Sequence, residues 1–190
     1  RKTAMQAFQR LPPMKSKFAY LIHFVAFQVA WFFCVLAPLS PLPKTLPIIG
    51  VALCLLVAIR SQGLFRLLPF LVASTLMGLA GDALLVHFGF LTFTEYPSIL
   101  GVPYWMLLLW LNFGLMLRPL FIWFLERRWR CLLGFSLGGA LAYFSGQKLG
   151  VLTFSQGWYS AWAVACEWTI AGILMRYLHL SYEQTASNRR

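Results

Sequence analysis

Six runs of apolar residues constrain what this chain can fold into. A helix needs about 20 residues to cross a hydrocarbon core of roughly 30 Å, because each residue advances about 1.5 Å. The runs are Phe18 to Leu39, Leu46 to Ile59, Leu67 to Leu91, Val102 to Leu125, Cys131 to Phe154 and Trp158 to Leu180. The second is short, and a Pro-rich hinge (Pro38, Pro41, Pro43, Pro47) leads into it. The first exceeds a signal-peptide core, and Val35-Leu36-Ala37 is followed by Pro38, so a retained span is expected rather than a cleaved leader. Short connections make successive helices antiparallel neighbours. The expected fold is all-α: a polytopic membrane protein with six transmembrane helices over 18–180, a basic segment over 1–17 and a tail over 181–190. Residues 1–13 read as polar, basic and poorly ordered. With 60% hydrophobic and 11% charged residues, the composition excludes a disordered chain and a soluble domain.

Sixteen Lys and Arg against five Asp and Glu give a net charge of +11, which in a soluble protein points to nucleic acid. Here topology accounts for it. One side of the six spans receives Arg1, Lys2, Arg10, Lys15, Lys17, Arg60, Arg66, Arg127, Arg128, Arg130, Arg176, Arg189 and Arg190, and the other only Lys44 and Lys148. By the positive-inside rule both termini are cytoplasmic, and no nucleic-acid partner is expected.

Ionisable side chains inside a membrane are expensive and therefore functional candidates. Asp82 lies roughly 13 Å from the outer end of the third run, and Asn112 and Glu167 fall at about that depth in the fourth and sixth. Gln28 and Tyr143 share this level, so five helices bring a polar side chain to one layer. Adjacent carboxyl groups at Asp82 and Glu167 would share a proton and perform acid–base chemistry on an apolar substrate. Gln28, Asn112 and Tyr143 would orient that substrate. The alternative is interhelical glue, at about 0.6–2 kcal/mol per hydrogen bond. Arg118 is expected to snorkel toward the cytoplasmic headgroups, with a counter-ion to Asp82 or Glu167, at the edge of a substrate site, as the alternative.

Other chemistry is not expected. His23 and His179 belong near one face and His87 near the other, so no His-rich metal site forms. Cys34, Cys54, Cys131 and Cys166 sit within apolar runs and read as packing residues. Nucleotide-binding and nucleophile-elbow motifs are missing, and no cofactor is expected. Gly134, Gly138, Ala142, Gly146 and Gly150 recur every fourth residue, which lets another helix approach closely, either a bundle neighbour or a second copy of the chain. Trp105, Trp158, Tyr159 and Trp129 read as interfacial anchors.

Four stretches, in order, carry a resemblance: Phe27-Gln28-Val29-Ala30-Trp31-Phe32, Gly81-Asp82-Ala83-Leu84-Leu85, Pro103-Tyr104-Trp105-Met106 through Leu109-Trp110, and Gly138-Gly139-Ala140-Leu141-Ala142-Tyr143 with Gly146 and Leu149-Gly150. Together they resemble the bacterial inner-membrane family named domain of unknown function 2878. The resemblance implies a multi-pass protein of the bacterial inner membrane, often encoded beside genes for fatty-acid modification. Gly81-Asp82-x-Leu84-Leu85 is also similar to the lysoplasmalogenases, multispanning lipid hydrolases, and that likeness carries over only to Asp82. The expected function is association with membrane lipid or fatty-acid modification, with lipids as partners. A scaffold, accessory subunit or small transporter is the alternative. An inverted repeat would favour a transporter, and none is evident between 18–91 and 102–180.

Overall fold

The computed structural model describes residues 17–187. Arg1, Lys2, Arg10, Lys15, Arg189, Arg190 and the reading of 1–13 as poorly ordered lie outside the described residues. Six long helices run back and forth: α1 (Lys17–Val35), α2 (Thr45–Gln62), α3 (Leu64–His87), α4 (Tyr104–Glu126), α5 (Arg128–Lys148) and α6 (Trp158–Ser187). A short 3-10 turn, Ala37–Leu39, forms the proline hinge. Helices α1 to α4 are long and apolar enough to cross a membrane, which marks the chain as a membrane protein. Helices α5 and α6 are not among them. Mid-helix leucines such as Leu76 and Leu141 are exposed, the reverse of a water-soluble bundle.

Two of the apolar runs do not end as helix. Leu91–Phe93 (β1) and Leu152–Phe154 (β4) pair antiparallel, while Ser98–Ile99 (β2) pairs with Val102–Pro103 (β3). Gly89 and Gly150 take positive φ, 69° and 78°, and stop α3 and α5. These strands lie at one end of the bundle, together with Lys44 and Lys148. Lys17, Arg60, Arg66, Arg127, Arg128, Arg130 and Arg176 lie toward the other, the arginine-rich end.

The strand end exposes an internal repeat. Hairpins α3–α4 and α5–α6 match without a gap through their first helices: Gly78 with Gly139, Asp82 with Tyr143, Gly89 with Gly150, and Leu91-Thr92-Phe93 with Leu152-Thr153-Phe154. The helix ends carry the same bonds. Gly89 N–H donates to Val86 O and Gly150 N–H to Gln147 O, each at 3.0 Å. Across the pair the bonds are reciprocal: Ser155 N–H donates to Phe90 O at 3.0 Å, and Thr94 N–H to Val151 O at 3.1 Å. Thr92 pairs with Thr153 at the centre, so a pseudo-two-fold axis passes there, along the bundle. The second helices match in a register of their own, Trp110 with Trp168 and Gly114 with Gly172, after a longer first connection that holds β2 and β3. This repeat is parallel, not inverted, and its halves are shorter than half the chain.

Helix α4 is the hub, contacting all five other helices, and it carries eleven buried residues. Helices α1 and α2 pack together and cover α4. The glycine stripe of α5 receives a bundle neighbour at one end: Phe124 belongs to α4. A Cβ at Gly134 would meet the Phe124 ring, one at Gly146 would meet Leu152, and one at Gly138 would meet nothing within 4 Å. Two glycines outside the stripe admit a neighbouring helix in the same way, Gly139 against Trp168 and Gly172 against Phe135.

Candidate functional site

The repeat brings the polar residues together. Asp82 on α3 is 0% exposed. Its Oδ2 accepts from Trp110 Nε1 at 2.9 Å, and its Oδ1 from the Tyr143 hydroxyl at 2.5 Å. The second bond joins pseudo-equivalent positions across the axis. Trp110 stacks on its own counterpart, Trp168, with centroids 4.4 Å apart and planes at 20°. Glycine makes the stack possible: a Cβ at Gly78 would overlap the Trp110 ring, and one at Gly139 the Trp168 ring. Ser74 Oγ donates to Trp110 O at 2.6 Å and ties that turn to α3.

Glu167 stands beside this cluster, within electrostatic range of Asp82. Its carboxyl is pressed onto Gly81, where a Cβ would overlap Oε1. Both of its oxygens are buried and lack a hydrogen-bond partner among the described residues. A buried polar group in that condition costs about 1–3 kcal/mol. Asp82 is thus a satisfied carboxyl and Glu167 an unsatisfied one, on opposite hairpins.

A cavity of about 840 Å³ opens sideways between α1 and α5, floored by α4. Trp110, Tyr143 and Trp168 form its inner wall, and Gln28 faces it from α1. Asp82 and Glu167 do not line it. Tyr143 is the bridge: its ring borders the cavity and its hydroxyl holds Asp82.

The five-residue layer is only partly one site. Asp82, Tyr143 and Glu167 converge and Gln28 joins them across the cavity, but Asn112 turns away. Asn112 Nδ2 donates to Phe27 O at 3.2 Å, fastening α4 to α1. It sits two residues from Trp110 and so faces nearly the opposite side of the helix. Arg118 does not snorkel and does not reach Asp82 or Glu167. It is 3% exposed, forms an ion pair with Glu183 of α6, and lies over the rings of Phe70 (5.4 Å) and Tyr182 (4.7 Å). A desolvated guanidinium with an acid and two ring faces is well placed inside. It lies toward the arginine-rich end and does not line the cavity. Trp105 is also no interfacial anchor, being 1% exposed against Phe93. Sequence reasoning misses Trp110 as the carboxyl's partner; the signal for it is an indole donor at the depth of Asp82.

Fold and site together define a helical membrane protein with a buried carboxyl–phenol–indole cluster beside a lateral cavity. The family described as "Protein of unknown function (DUF2878)" matches residues 20–174, and the chain belongs to it. No curated protein and no solved structure matches the chain, and nothing in these comparisons links it to the lysoplasmalogenases.

Proposed function

We propose that this protein crosses a bacterial inner membrane six times, with both termini cytoplasmic, and acts on a membrane lipid or fatty-acyl group that enters the lateral cavity. The arginine-rich end supports the orientation by the positive-inside rule. Helices α5 and α6 cross with the others in this reading, because their hairpin is the counterpart of α3–α4. One observation carries the chemistry: Tyr143 borders the cavity while donating to Asp82. A proton passes between a bound substrate and Asp82 through the phenol, and Glu167 serves as the second acid–base group. Gln28 orients the substrate from the opposite wall.

The test is comparative lipidomics of membranes from cells expressing wild type, Asp82→Asn, Glu167→Gln or Tyr143→Phe, with detergent-extracted yield and melting temperature taken on the same samples. One lipid class altered only by wild type, with stable variants, is the expected result. Identical lipids with early-melting variants would leave a non-enzymatic scaffold, accessory subunit or small transporter. That second reading draws on both Asp82 oxygens being occupied and on the parallel repeat, an arrangement that some transporters share.

A further inference from the structure

The cavity has a polarity that names its occupant. At its strand end lie Lys148 and Trp105, and the Trp105 indole N–H is buried without a hydrogen-bond partner among the described residues. In its middle lie Gln28 and Tyr143. Toward the arginine-rich end the walls become phenyl rings, Phe113, Phe121, Phe124 and Phe135. A cation and a spare donor at one end, with hydrocarbon beyond, match an acidic head followed by an aliphatic tail.

The length of the cavity agrees with this occupant. Along α5 the cavity extends from Gly134 to Leu149. At the helical rise that is roughly 22 Å, against about 15 Å for half of a bilayer's hydrocarbon core. That reach accommodates a full acyl chain lying along α5. The rim is exposed apolar surface, Phe32, Leu141 and Phe144, so the chain enters from the surrounding lipid.

We infer that the cavity binds an acyl chain of an anionic membrane lipid, with the phosphate at Lys148 and Trp105 and the tail lying along α5 toward Gly134. This rests on reading the cavity as the entrance to the Tyr143–Asp82 site. It adds the lipid's charge and its direction.

The full chain, purified in detergent, is incubated with phosphatidylglycerol or phosphatidylcholine of identical chains, and retained lipid is counted by native mass spectrometry. Wild type is expected to retain phosphatidylglycerol at least fivefold more than phosphatidylcholine. Lys148→Gln removes that preference while retaining phosphatidylcholine. Gly138→Trp, placed where a side chain meets open space, removes both lipids. Leu133→Trp, on the exposed face of the same helix, changes neither. An undiminished preference in Lys148→Gln, or wild-type retention in folded Gly138→Trp, overturns the inference. Lys148 is exposed, so its variant decides the matter even if Gly138→Trp fails to fold. Comparison of wild type with Asp82→Asn separates the two proposals: a phosphatidylglycerol preference in both, with cellular lipids that wild type leaves identical to those of Asp82→Asn, defeats the chemistry alone, whereas a lipid class altered only by wild type, without any lipid preference, defeats this inference alone.

Discussion

Hairpin α3–α4 holds Asp82 where hairpin α5–α6 holds Tyr143, and that exchange turns matched positions into an acceptor and a donor. The backbones agree down to the bonds that close α3 and α5. The side chains around them do not. Met77, packed in the core, corresponds to the empty Gly138, and Leu109 on the cavity wall corresponds to the unsatisfied Glu167. The groove between α3 and α6 is therefore filled, while the one between α4 and α5 is hollow. A symmetric frame with unlike groups at equivalent places provides a hydrogen bond across the axis and an opening on one side of it.

The largest expected effect comes from breaking that exchange. Asp82→Ala strands the buried Trp110 and Tyr143 donors and lowers stability by about 2–4 kcal/mol, read by unfolding in detergent. The exchanged double variant, Asp82→Tyr with Tyr143→Asp, regains more than half of whatever the two single variants lose. If it regains nothing, the positions are not equivalent. Next, Gly78→Ala and Gly139→Ala drive a methyl into the Trp110 and Trp168 rings and each cost about 1–3 kcal/mol. The two losses agree within about 1 kcal/mol, whereas Gly138→Ala leaves the melting temperature unchanged.

Smaller effects sharpen the contrast where the hairpins differ. Arg118 and Arg176 occupy equivalent sites, but only Arg118 is fully buried against an acid. Glu183→Gln costs on the order of 2 kcal/mol, less than the ~3–5 kcal/mol of a dry pair because Glu183 is partly exposed. It also weakens the protection of α6 in hydrogen exchange. Smallest is Tyr96→Phe, in the connection that has no counterpart. The Tyr96 hydroxyl donates to Pro43 O at 2.7 Å, and burial pushes its pKa up, so it stays a donor across the working pH range. Its loss costs about 1 kcal/mol and raises proteolysis at the proline hinge.

The apolar runs locate all six helices, and depth counted along them finds Asp82, Tyr143 and Glu167. Depth is one coordinate, and rotation about each helix is the other, which one sequence leaves open. Hence Asn112 reads as part of the layer although it faces α1, and Trp110 goes unmarked. Leu91-Thr92-Phe93 and Leu152-Thr153-Phe154 read as the ends of spans because apolar strand and apolar helix share a composition. Arg118 reads as a snorkelling residue because its acid, Glu183, lies sixty-five positions away.

Each hairpin leaves the arginine-rich end and returns to it. The two hairpins therefore point the same way, and each carries its arginines at the same end. Two separate copies of one such hairpin, related by the same axis, would face each other with identical residues across it. One chain that carries both hairpins, joined at Arg127, can place a carboxylic acid at one of two matched positions and a phenol at the other, which no pair of identical subunits can do.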